Sequence, residues 1–77
     1  MPTQEETERY YELAERVDFV LQMAHSPAPM SPSAIARKAN MTTSEALEVL
    51  PRMERERFVW GEGIGGWRKY VAWSRRS

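Results

Sequence analysis

The sequence predicts a small α+β domain, mostly α, in which three helices are followed by a two-stranded β-hairpin. Two observations carry that expectation. Apolar residues recur at three- and four-residue steps in three successive segments before residue 57. From Phe58 onward the pattern changes to short, β-rich runs on either side of Gly61-Glu62-Gly63-Ile64-Gly65-Gly66, which holds all four glycines of the chain. The 77 residues allow a single domain with a thin core, and the absence of cysteine rules out disulfides and thiolate metal sites as staples.

The first helix is expected over about residues 5–25, where Tyr10, Leu13, Ala14, Val17, Val20, Leu21 and Ala24 form one stripe. Its acids gather toward the N-terminus, where the helix dipole favours them. Arg9 follows Glu5 by four residues and Arg16 follows Glu12 by four, so both pairs can form i,i+4 ion pairs. His25 falls near the C-terminal end as a surface cap, and Pro27 is expected to stop the helix. Residues 26–30, Ser-Pro-Ala-Pro-Met, read as an extended linker.

A second helix is expected over about 32–39. Ser31 followed by Pro32 is the favoured N-cap and first-position pair, with Ser33 an alternative cap. Ile35, Ala36 and Ala39 supply its buried face, and Asn40 can close it in a left-handed conformation. Met41 reads as a buried turn residue. The third helix, about 43–56, is capped by Thr42 or Thr43. Glu45 three residues after Thr42 completes a capping-box pattern. Ala46, Val49, Leu50 and Met53 form its core face, and Pro51 predicts a kink or a break and restart. In the hairpin, about 58–73, Phe58-Val59-Trp60 is the first strand and Trp67 through Trp73 the second. Alternation then puts Trp67, Lys69, Val71 and Trp73 on one side and Arg68, Tyr70 and Ala72 on the other. The tryptophans are expected to pack in the core or along the hairpin, Glu54 to Arg57 to form a solvated helix end, and residues 74–77 to fray.

The net charge is zero, yet the chain is polarised. Residues 1–25 carry six acids against two bases, residues 26–50 are balanced, and residues 51–77 carry seven bases against three acids. Zero overall charge argues against a uniformly basic nucleic-acid binder, whereas the basic C-terminal part can meet a polyanion. No apolar run approaches the about 20 residues of a membrane span, and residues 1–25 lack the apolar core of a secretory signal. These features predict a soluble chain, cytoplasmic or nucleoid-associated, with no membrane contact. Enzyme signatures are lacking: no nucleophile–base pair is present, and the G-x-G spacing at Gly61 joins two strands, whereas a dinucleotide loop must open a helix. No catalytic residue, cofactor or metal is expected.

Residues 33–60, SAIARKANMTTSEALEVLPRMERERFVW, resemble the core of the winged helix-turn-helix superfamily. Ile35 and Ala36 match the apolar pair of its second helix, Asn40 its turn, Met41 the buried residue after the turn, Leu50 and Met53 its third-helix core, and Phe58-Val59 the opening of its wing. Arg57 stands where many members have glycine, which predicts a stiffer or extended exit from the third helix. The chain's size is similar to that of phage-type regulators and excisionase-like members. The resemblance implies a DNA-binding protein, a transcriptional regulator or a recombination accessory factor, with the third helix in the major groove and the wing on the backbone or minor groove.

By that carry-over, Thr42, Thr43, Ser44, Leu47, Glu48, Pro51, Arg52 and Arg55 face the groove. Arg37 and Lys38 hold the backbone, and Arg68 and Lys69 extend the contact from the wing. The alternative is a winged-helix protein-interaction module without DNA, favoured by the zero net charge, by Leu47 and Glu48 on the groove face and by Pro51. It would use the acidic first helix or Ile64 at the wing tip. A homodimer fits either reading.

Overall fold

In a computed structural model, the chain is described over residues 3–26 and 28–76. Three helices, α1 (Gln4–Gln22), α2 (Pro32–Ala39) and α3 (Thr43–Arg55), precede an antiparallel hairpin of β1 (Val59–Glu62) and β2 (Lys69–Ala72). The predicted α+β class is therefore the class observed. Each helix starts where a side chain can accept from the orphan amides of its first turn. Thr3 Oγ1 accepts from Glu6 N at 3.1 Å, and Ser31 Oγ accepts from Ala34 N at 3.3 Å, with Pro32 in the first turn. Thr42 and Glu45 form the expected reciprocal box: Glu45 N donates to Thr42 Oγ1 at 3.1 Å, and Thr42 N donates to Glu45 Oε1 at 2.9 Å. Asn40 adopts φ 57°, ψ 51°, and Met41 N donates to Ala36 O at 3.0 Å, so a tight turn separates α2 from α3.

The core is one apolar body in which all elements take part. Val17 of α1, Ile35 of α2, Leu50 and Met53 of α3 and Val59 of β1 are its most deeply buried large side chains. Tyr10, Leu13 and Leu21 flank them from α1, Tyr70 and Ala72 close it from β2, and Met30 and Met41 plug its rim. No polar or charged side chain is buried among the described residues.

Several local expectations are corrected. α1 ends at Gln22, three residues early, and its last turn contains no base; Pro27, the predicted stop, lies outside the described residues. His25 is exposed, and the cap it was expected to provide comes from Arg75. The Arg75 guanidinium donates to Leu21 O at 2.9 Å, Gln22 O at 3.1 Å and Ala24 O at 2.8 Å. The tail therefore does not fray through Arg76: Trp73–Arg75 forms a short 3-10 turn, and Gln22 Nε2 donates to Ser74 Oγ at 3.1 Å. Ser77 lies outside the described residues.

α3 continues unbroken through Pro51, which is exposed. Since the helix ends at Arg55, its exit is not extended by Arg57. That residue takes the left-handed conformation that glycine usually supplies, φ 64°, at a cost of roughly 1–2 kcal/mol. Phe58 N donates to Met53 O at 2.9 Å and fixes the turn into β1.

In the hairpin, Val59 pairs with Ala72, Trp60 with Val71, Gly61 with Tyr70 and Glu62 with Lys69. The strands are shorter than predicted. Phe58 precedes β1, and Trp67 belongs to a 3-10 turn, Gly65–Trp67, where it is 86% exposed and packs on nothing in the core. Trp60 and Trp73 pack edge-to-face on each other, centroids 5.4 Å apart, on the side of the hairpin away from the core. The residues expected to be pure linker contribute as well: Met30 N donates to Tyr70 O and Tyr70 N to Met30 O, both at 2.8 Å. This one-residue bridge gives β2 a partner on its second edge.

Candidate nucleic-acid interface

α3 is stitched to its neighbours along two edges. On the α1 edge, Glu45 meets Arg9 at 3.0 Å, and Glu56 accepts from the Tyr10 hydroxyl at 2.6 Å while pairing with Arg52 at 3.5 Å. The Arg52 guanidinium lies 3.8 Å from the centroid of the Tyr10 ring, a cation–π stack. On the hairpin edge, Glu54 grips Arg68 through both carboxylate oxygens, and Arg68 Nη1 donates to Gly63 O at 2.6 Å. This pair crosses above Gly61, where a Cβ would lie 2.8 Å from the Arg68 and Glu54 side-chain ends, so a larger residue there would displace the pair.

These contacts shift protonation. Burial, reinforced by the hydrogen bond to Glu56, pushes the Tyr10 phenol well above its usual value. The backbone hydrogen bond from Thr42 holds the Glu45 carboxyl below the usual range. The hydrogen bond to Glu54 raises Arg68 further. Burial also raises Tyr70.

The predicted contact residues divide accordingly. Arg52 and Arg68 are occupied within the fold rather than free at the surface, and the Thr42 hydroxyl is spent on the cap. The segment from Glu54 to Arg57 is not a simple solvated end, since both of its acids hold other elements. Lys38 borders a crevice with Glu12, Glu15 and Phe19 of α1, and Glu48 borders another with Glu6, Arg9 and Arg52. Arg16 keeps its expected partner Glu12 at 3.2 Å, whereas Arg9 chooses Glu45 over Glu5. Between the two edges of α3 runs an outward strip of Ser44, Leu47, Glu48, Pro51 and Arg55, all exposed, with exposed Thr43 at the helix start. Arg37 and Lys38, exposed in the last turn of α2, precede that start by one tight turn.

Once the four ion pairs are set aside, the remaining charge is segregated by element along the chain. On α1, the acids Glu5, Glu6, Glu8, Glu15 and Asp18 have no ionic partner among the described residues, and no α1 base is left over. Beyond α1, seven bases make no ion pair among those residues: Arg37, Lys38, Arg55, Arg57, Lys69, Arg75 and Arg76. Only Glu48 and Glu62 oppose them. Arg57 and Arg76 were missed by the sequence reading. Their guanidiniums lie 5.8 and 4.3 Å from the Trp73 ring, and only the hairpin's closure brings these three side chains together.

Among the described residues, no helix is long and apolar enough to cross a membrane, and no group of three or more His, Cys, Asp or Glu side chains is placed to hold a metal. No family model, curated protein or solved structure matches this chain.

Proposed function

We propose that this chain is a small winged-helix protein that binds double-stranded DNA and serves as a transcriptional regulator or recombination accessory factor. The observation that carries the reading is the segregation of unpaired charge, with seven bases outside α1 and none on it. Phosphates are attracted to those bases, apart from Arg75, which caps α1, and are repelled by the acids of α1, which favours a duplex on α3 and the hairpin over one on α1. The outward strip of α3 then enters the major groove. Ser44 contacts phosphate or a base edge, Leu47 meets a thymine methyl, Glu48 accepts from cytosine N4 and Arg55 reaches guanine or phosphate. The amides of Thr43 and Ser44, in the first turn where a helix offers them no carbonyl, suit a phosphate. Arg37 and Lys69 bind backbone on either side, whereas Arg52 and Arg68 act by holding α3 and the hairpin in register.

Binding to a mixed-sequence duplex is expected to weaken steeply with salt, with a log–log slope near −0.9 for each phosphate neutralised. Arg37→Ala, Arg55→Ala and Lys69→Ala should each reduce that slope by about 1, while Glu8→Ala leaves it unchanged. Absence of binding at about 50 mM salt would sink the proposal. A second reading, docking of a basic partner protein, is favoured by one feature: exposed Tyr11 and Phe58 share a groove of about 250 Å³ with Glu15 and Asp18. Under that reading Tyr11→Ala disrupts a complex that Arg55→Ala does not.

A further inference from the structure

The two most exposed large apolar side chains among the described residues stand together at the hairpin tip, Ile64 at 88% and Trp67 at 86%. Gly65 and Gly66 between them have open space where a Cβ would lie, so no other side chain covers the tip. The tip is nevertheless built. Gly63 and Gly65 take φ 96° and 59°, conformations that glycine adopts without strain, and the intervening turn is closed by Trp67 N to Ile64 O and Arg68 N to Gly65 O, each at 3.2 Å. Arg68 then ties Gly63 O to the Glu54 carboxylate of α3, so the tip is tethered to that helix.

Resting on the DNA reading above, we propose that Ile64 and Trp67 form an apolar wedge that enters the minor groove, unstacks one base step and bends the duplex. Adjoining exposed apolar groups on a hydrogen-bonded turn mark a site of interaction. Side chains of this kind inserted between base steps kink DNA toward the major groove, into which α3 is proposed to fit. The surroundings suit phosphates rather than an apolar protein pocket. Lys69 follows the tip and Arg57 and Arg76 flank the hairpin's outer tryptophans, while the hairpin carries a single acid, Glu62, opposite Lys69 in the strand register.

The test uses the full chain and two end-labelled duplexes of about 30 bp, one with central TA steps, which unstack easily, and one with a stiff central A-tract. Energy transfer between the ends reports bending. The wild-type chain should raise transfer on the TA duplex more than on the A-tract. The exposed double variant Ile64→Ser/Trp67→Ala should keep the wild-type melting temperature and the salt-dependent binding, weakened roughly tenfold, yet leave transfer at the free-duplex value. Wild-type binding without a change in transfer, or a double variant that bends equally well, overturns the wedge and leaves DNA binding intact. Failure of the wild type to bind either duplex overturns both. A fall in sedimenting mass of the double variant, with bending unchanged, would instead assign the tip to contact between copies of this chain.

Discussion

Arg52 and Arg55 lie three residues apart on α3, and their fates are opposite. Arg52 is stacked 3.8 Å from the Tyr10 ring and paired with Glu56, whereas Arg55 is exposed and makes no ion pair among the described residues. The same contrast runs the length of the helix. Its two edges spend Glu45, Arg52, Glu54 and Glu56 on α1 and the hairpin, while the strip between them stays unspent. The side chains left free to meet a partner are those that the fold does not use, and side-chain type alone does not say which those are.

Two leucines break the comparison most sharply. Leu50 is fully buried, and Leu47, one turn earlier, is 55% exposed. Leu50→Ala should cost about 2–5 kcal/mol, through lost burial and the cavity left behind. That is a large share of the about 4–12 kcal/mol expected for a chain of this size at about 0.05–0.15 kcal/mol per residue. Leu47→Ala should stay within about 0.5 kcal/mol while weakening duplex binding. Urea melts beside binding isotherms check both; equal losses of stability would place the strip in the core.

A second pair contrasts adjacent arginines. Arg75 donates to three carbonyls at the end of α1, a helix whose last turn has no base of its own. Arg75→Ala should destabilise by about 1–2 kcal/mol, since it removes both the hydrogen bonds and a cation at the negative end of the dipole. Exposed Arg76 lies over Trp73, and its removal should cost only about 0.5 kcal/mol. Thermal melts of the two variants should separate clearly, and coincident curves would remove the capping role.

What was legible in the sequence was local. Ser31-Pro32, Asn40 and the Thr42–Glu45 box act within four residues of themselves, so the start of α2, its end and the start of α3 could be read directly. The glycine cluster located the hairpin for the same reason. Contacts that depend on closure of the fold were not legible. Arg9 had Glu5 within reach on its own helix but meets Glu45, 36 residues away; Arg75 caps a helix more than 50 residues earlier; Met30 pairs with Tyr70. The candidate site suffered from the same blindness. Arg52 and Arg68 resembled free cations because nothing local reveals Tyr10, Glu54 or Glu56 beside them, and Trp67 resembled a strand residue because its alternation with Lys69 and Val71 was unbroken.

The finest test of the spent edge is Tyr10→Phe, which deletes the hydroxyl that donates to Glu56 and keeps the ring beneath Arg52. Near pH 7 it should cost about 0.5–1.5 kcal/mol, the net worth of one hydrogen bond, somewhat more if the charged acceptor is left poorly solvated. Its pH dependence is more telling. Burial and Glu56 raise the folded phenol above the value of about 10 found in unfolded chains. The folded state therefore keeps a proton that the unfolded state gives up, and the contribution of Tyr10 is complete below about pH 10 and declines above it. Tyr70 is raised too, but it is present in both proteins and cancels in their difference. At the acid end Glu45 behaves oppositely: its depressed carboxyl adds stability that disappears as pH falls below the usual carboxylate range, again equally in both proteins. Urea melts from pH 7 to about 11 should thus show wild type and variant converging only on the alkaline side. Curves that stay parallel across that range would mean that the Tyr10 hydroxyl is as free as the outward strip, and that the division between the edges of α3 and its exposed face is drawn in the wrong place.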